Sequence, residues 1–276
     1  MCCLSSDWHI FFWRTWCILP CSNVPKFIVL GLMLLCFLLI FCYFGGALDN
    51  MPMSLATCVY EIGNSSIFVM LYLVMLYLLL DLGRAVHLVP HSFMFNSLKG
   101  TLSVIGIMIV VFGFGYIHYM HKERYSLTMK TEKPLAQPLK IIMASDLHVG
   151  YLNHVGELDR WIDFINKENA DLILIGGDII DGSIRPLNDE HMAEAFKRLN
   201  APVVACLGNH EYYCSIDKAL PFYKEAGITL LRNSAITIKG INIFGRGWHN
   251  YNKTHNEHDA NIAHRIINLF DGHVVA

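Results

Sequence analysis

Hydrophobic and polar positions along this 276-residue chain follow two different patterns. In the first, three stretches run without a charge: Phe27–Leu48 (22 residues), Ile62–Leu80 (19) and Gly100–His121 (22). About 20 apolar residues at a rise of about 1.5 Å each cross a hydrocarbon core about 30 Å thick, so each stretch predicts a transmembrane helix. The first is longer than the core of a cleaved signal peptide, and two more spans follow it. Ahead of it, Trp8–Trp16 is rich in aromatic rings around Arg14, a composition suited to the water–lipid interface.

From Leu139 the pattern changes to short apolar runs that alternate with amphipathic segments. Leu139–Ala144, Asp171–Ile175 and Pro202–Leu207 predict buried strands. Leu158, Trp161, Ile162 and Ile165 fall at i, i+3, i+4, i+7 and predict a helix over 155–168. Met192, Ala195, Phe196 and Leu199 repeat that spacing and predict a second helix starting near Asn188. A third helix is expected near 216–226, with short strands around 229–231, 235–238 and 241–244. No later strands are expected to complete a second sheet layer.

The organisation expected is a membrane region over 1–121, a linker over 122–138 and an α/β domain over 139–276. Strand–helix alternation implies a mostly parallel sheet flanked by helices. In such sheets the ligand crevice lies beyond the carboxyl ends of the strands.

Composition sharpens this division. The chain is 54% hydrophobic and 16% charged, but residues 1–121 hold eight charged side chains and 122–276 hold the other 36. Net charge is −2, so no basic footprint for nucleic acid is present and no nucleic-acid partner is expected. Seven of the nine cysteines precede residue 59 in apolar surroundings, and no CxxC pair occurs, so they do not fix the redox compartment.

The loop between the first two spans has no Lys or Arg, whereas Arg14, Lys26, Arg84 and Lys99 flank the other side. That bias favours an inside N-terminus and an extracytoplasmic C-terminal domain in a multi-pass protein of the cell membrane, although Lys122, Arg124, Lys130 and Lys133 pull the other way. His118 and His121 read as interfacial residues at the end of the third span. The spans carry no Asp, Glu, Lys or Arg of the kind that marks an ion path, which disfavours a transporter or channel.

Chemistry gathers at the three strand ends. Ser145-Asp146-Leu147-His148 follows the first run, Gly176-Gly177-Asp178-Ile179-Ile180-Asp181-Gly182 the second, and Gly208-Asn209-His210-Glu211 the third. Asp146, Asp178 and Asn209 are spaced 32 and 31 residues apart. Any one motif is weak; three in order at successive strand ends deliver carboxylate, imidazole and amide to one sheet edge. Such donors suit Mn²⁺, Fe²⁺ or Zn²⁺. One carboxylate, Asp178, has the placement to bridge two ions about 3.5–4 Å apart, a pair that activates hydroxide and polarises a phosphoryl oxygen.

These motifs resemble the first three signatures of the calcineurin-like metallophosphoesterases, and the continuation Tyr212-Tyr213 with the apolar N-terminal half looks like the family's membrane-anchored bacterial branch. The resemblance covers roughly residues 138–250. It implies a four-layer αββα domain, with Asp146 and His148 on metal one, Asp178 bridging, Asn209 on metal two, and His210 contacting the phosphate and assisting the leaving group. Asp181 and Glu211 are read as supporting residues.

The implied function is a membrane-anchored, dinuclear metal-dependent hydrolase of a phosphomonoester or phosphodiester, acting through metal-activated hydroxide. A lipid-linked or nucleotide-sugar substrate fits a site beside a bilayer. The family pattern continues with a later His motif and Gly-His-x-His. Here the tail has His249, His255, His258, His264 and His273, with Gly272-His273 forming half of the last motif. His255 and His258 are read as loop residues and Arg246 as a surface turn. The sequence therefore suggests a C-terminally truncated domain. The alternative function is an inactive relative, a non-catalytic membrane protein with at most weak metal binding.

Overall fold

In the computed structural model the three uncharged stretches are helical. Residues 4–44, 46–129, 135–246, 266–270 and 273–275 are described, and the chain divides into two units, Met1–Leu127 and Thr128–Ala276.

The first unit comprises α1 (Leu4–Ile18), α2 (Asn23–Leu38), a short α3 (Phe41–Phe44), a 3-10 turn at Ala47–Asn50, α4 (Met53–Ala85), a single-turn α5 (His91–Met94) and α6 (Leu98–Met120). Three helices are long and apolar enough to cross a membrane: Asn23–Tyr43, Met53–Ala85 and Leu98–Met120. Ser97 starts α6 by accepting a hydrogen bond from the Gly100 amide at 3.0 Å. Gly63 lets α4 approach the α2–α3 junction closely, since a Cβ there would stand 2.8 Å from the Ile40 nitrogen.

Two charges that mark span boundaries in the sequence lie inside helices. Lys26 in α2 is 5% exposed; its Nζ donates to Asn96 Oδ1 at 3.0 Å and sits 5.4 Å from the centroid of the Trp16 ring. Asp81 in α4 takes a two-pronged contact from Arg14 of α1, 2.7 Å from Nε and 2.7 Å from Nη2. α1, which contains the aromatic segment, is packed into this bundle: Phe11 and Ile18 are buried against Met70, Leu73, Tyr77 and Val104.

The second unit runs β1 (Ile141–Ala144), α7 (Val155–Asn166), β2 (Leu172–Ile175), α8 (Arg185–Asp189), α9 (Met192–Phe196), β3 (Val203–Ala205), α10 (Asn209–Cys214), α11 (Ile216–Glu225) and β4 (Thr229–Leu230). It continues with β5 (Ser234–Ile238), β6 (Ile241–Gly245), β7 (Ile266–Phe270) and β8 (His273–Val275). β1–β4 pair in chain order, all parallel, with Ile141 opposite Leu172 and Ile173 opposite Val203. β5–β8 form a second, mixed sheet: β5–β6 and β7–β8 are antiparallel, and β6–β7 is parallel.

Alternation along the strands builds the layers. Ile173, Ile175, Val203 and Ala205 face the helical layer and pack with Leu158, Ile162, Phe196 and Phe222. The intervening Leu172, Leu174, Val204 and Cys206 face the other way and pack with Ile241 and Ile243 of the second sheet. The described residues thus form three layers, helices on sheet on sheet.

Two expectations are corrected. The helix expected from near Asn188 is two short helices, α8 and α9, because His191 adopts a left-handed φ of 52° between them. The second sheet also has strands beyond residue 244: β7 adds to β6 in parallel with Asn242 opposite Ile266, a long-range pairing that no local turn signal announces.

Candidate metal centre

The parallel strands β1, β2 and β3 end at one edge, and the three motifs follow them there. The loops after β1 and β2 are zipped together by backbone bonds. The His148 amide donates to the Asp178 carbonyl at 2.9 Å, Val149 to Ile179 at 2.8 Å, and Asp181 back to Val149 at 3.0 Å. This path forces Asp146, His148 and Asp178 into positive φ, at 55°, 44° and 51°. Such conformations are costly for residues with a Cβ and gather where the surrounding structure fixes a functional geometry.

Glycine is required where the second and third motifs cross. Gly177 has φ 97°, and a Cβ on it would stand 2.6 Å from the Gly208 nitrogen. A Cβ on Gly208 would overlap the Asp178 carboxylate. With both hydrogens in place, the His210 amide at the start of α10 donates to Asp178 Oδ1 at 2.8 Å.

Glu211 ties this crossing from beneath. It is 0% exposed and accepts backbone bonds from Asp178 (3.2 Å), Ile179 (2.8 Å), Ile180 (3.1 Å) and Gly208 (2.7 Å), and from the Tyr223 hydroxyl at 2.9 Å. Burial pushes the Glu211 carboxyl up, against the hydrogen bonds that hold it charged. Burial, with Glu211 beside it, pushes the Tyr223 hydroxyl well above its ordinary range.

One oxygen or nitrogen each from Asp146, His148 and Asp178 lies within 4.8 Å of the others. Asp178 is 4% exposed, whereas Asp146 opens to solvent. The Ser145 hydroxyl donates to Asp146 Oδ2 at 2.5 Å, and Asn153 Nδ2 fixes the loop by donating to the Leu147 and His148 carbonyls at 3.0 and 3.2 Å. His148 Nδ1 is buried without a hydrogen-bond partner. Two carboxylates and one imidazole converging on one point fit a divalent cation.

A second group, His148, Asp181 and His210, adjoins the first. His210 Nδ1 donates to the Asp181 carbonyl and lies 3.5 Å from Asp181 Oδ1. Asp181 lifts the His210 imidazole to about 9, against burial, which opposes its charge. From the sequence Asp181 is expected only as a supporting residue. Its signal was the spacing from Asp178, three residues along a tight loop, which returns both carboxylates to the same crevice.

Asn209 opens α10 at this edge, half-buried and next to His210. Arg246 follows β6, and His273 starts β8. His249, His255, His258 and His264 lie outside the described residues.

Residues 139–272 match the model of the calcineurin-like phosphoesterase family. This half of the chain is similar to calcineurin-like phosphoesterase domains. Among curated relatives, an uncharacterized metallophosphoesterase of Aquifex aeolicus is 34% identical over 45% of this chain and 49% of its own. Phosphodiesterase YaeI of Escherichia coli is 32% identical over 46% of this chain and 49% of its own. A transmembrane protein with metallophosphoesterase domain from Danio rerio is 28% identical over 35% of this chain and 22% of its own. The chain spans at most about half the length of these relatives.

Proposed function

We propose that this chain is a membrane-anchored phosphoesterase that uses two divalent ions, of the Mn, Fe or Zn type, to hydrolyse a phosphomonoester or phosphodiester. The observation that carries the reading is the convergence of Asp146, His148 and Asp178 donor atoms within 4.8 Å inside a calcineurin-like domain. Asp146 and His148 would hold one ion, Asp178 would serve both, and Asn209 would hold the other. A bound divalent ion supplies Lewis-acid polarisation of a phosphoryl oxygen and a nucleophile from water at neutral pH.

The chain's own groups do the rest. His210 Nδ1 is committed to Asp181, which leaves Nε2 as the atom that presents a proton to the leaving oxygen. Asp181 beside it raises the imidazole above its ordinary range, which favours the protonated form a proton donor needs. Glu211 and the two glycines keep the motif loops in register and thereby hold Asp178 in place.

The three apolar helices are the anchor, and the cation-free loop between the first two supports an extracytoplasmic domain with the N-terminus inside. A phosphoester close to the bilayer, lipid-linked or a nucleotide sugar, is the substrate class this placement favours.

The test is hydrolysis of bis-p-nitrophenyl phosphate and p-nitrophenyl phosphate by the detergent-purified chain with Mn²⁺. Asp178→Ala should lower kcat/KM by at least about 100-fold, the upper end of the loss caused by disturbing residues around a metal. Hydrolysis that survives Asp178→Ala, or no hydrolysis by the Mn²⁺-loaded wild type, overturns the reading in favour of a non-catalytic relative.

A further inference from the structure

The two tyrosines that follow the third motif part company. Tyr212 packs against the core between the sheet and its helices, whereas Tyr213 is 67% exposed. Tyr213 is three residues after His210 on α10, so the two side chains share a helix face. Their ring centroids are 5.3 Å apart with the planes at 68°. The His210 ring in turn meets the His148 ring edge-on, 4.3 Å away at 70°. A continuous row of rings, His148, His210 and Tyr213, therefore leads outward from the cluster of metal-ligand candidates.

Function orders this row. His148 belongs to the carboxylate–imidazole group, and His210 is the residue read as serving the leaving oxygen. A group bonded to that oxygen would extend past His210, where Tyr213 is the next ring in the row. A large aromatic surface left in water next to a charged crevice gains free energy when an apolar partner covers it.

We infer that Tyr213 is a specificity-determining residue that receives the organic part of the phosphoester, and that this part carries a planar ring, an aryl or nucleobase-like group, against the tyrosine face. The inference rests on the phosphoesterase reading above and deepens it. Edge and face contacts between aromatic rings are worth a few-fold to about ten-fold in affinity, and stacking tolerates many ring types.

The experiment compares two non-hydrolysable probes, phenylphosphonate and methylphosphonate, which share the phosphonate and differ in the organic group. Binding of each to the full chain in detergent with Mn²⁺ is measured by calorimetry for wild type, Tyr213→Phe and Tyr213→Ala. Tyr213→Ala should weaken phenylphosphonate about five- to ten-fold and methylphosphonate less than about two-fold, with Tyr213→Phe close to wild type. Unchanged phenylphosphonate binding in Tyr213→Ala, or an equal loss for both probes, overturns the role of Tyr213 while leaving the phosphoesterase reading intact. Failure of the wild type to bind either probe overturns that reading and this inference with it.

Discussion

Lys26 and Glu211 are both charged side chains sealed from solvent, one in each unit, at 5% and 0% exposure. They are satisfied by different means. Lys26 meets one amide side chain, Asn96, from 70 residues away, with an aromatic ring beside it. Glu211 meets four backbone amides and one hydroxyl. In the helical unit the backbone donors are consumed inside the helices, so a buried charge has to find another side chain. At the sheet edge the strands have just ended, and the loop amides are free to converge on a carboxylate. The difference places rigidity where chemistry requires it: the helices pack around isolated polar pairs, while the crevice is held by a hub of shared hydrogen bonds.

The hub should be the most sensitive point. Glu211→Ala leaves several buried donors unsatisfied at about 1–3 kcal/mol each, so thermal or urea unfolding of the second unit should register a loss of at least about 3 kcal/mol. Tyr223→Phe removes a single bond to the same carboxylate and should cost about 1 kcal/mol. Equal effects would mean that Glu211 is not the organising group.

In the helical unit, Asp81→Ala removes a charge-assisted fork and should destabilise the bundle by about 1.5–3 kcal/mol in a denaturant titration in micelles. Arg14→Met combined with Asp81→Ala should recover part of that loss, because no unpaired charge remains. A double variant as unstable as the sum of the singles would show that the two side chains act separately.

Gly208→Ala probes the crevice more narrowly. Its methyl would meet the Asp178 carboxylate and, at 2.6 Å, the Asp178 backbone nitrogen, so the crossing has to shift: kcat/KM toward a chromogenic phosphodiester should fall about 10–100-fold, with some loss of thermal stability.

The smallest effect is expected at Asp171, half-buried at the surface. Its carboxyl is held below the usual range by the Lys140 backbone amide at 3.0 Å and by Lys239 Nζ at 2.5 Å. A depressed folded-state pKa contributes stability above the unfolded value, near pH 4, that is lost as pH falls further. Asp171→Asn should therefore lower Tm slightly at pH 7 and make no difference once the pH is well below 4.

The same contrast governs what could be read in the sequence. The three uncharged runs identified the apolar helices, but Lys26 and Asp81 seemed to end them because their partners, Asn96 and Arg14, are remote in the chain. In the second unit, Asp146, His148 and Asp178 were legible because each follows an apolar strand run, and the structure gathers them. Helix α10, six residues starting at Asn209, is too short for hydrophobic periodicity to reveal. β7 was missed although Ile266-Ile267-Asn268-Leu269-Phe270 is plainly apolar, because its partner β6 is reached only through a long connection. Glu211 stood in the third motif in full view. Its function as a hub depends on loop amides from 31 to 33 residues earlier, which no local pattern encodes.

The central claim is that Asp146, His148 and Asp178 form a metal centre, and calorimetric titration of this 276-residue chain with Mn²⁺ tests it most directly. Wild type should bind about two ions per chain, and Asp178→Asn should weaken binding at least about 100-fold. Equal Mn²⁺ binding by wild type and Asp178→Asn, or none by either, would contradict it.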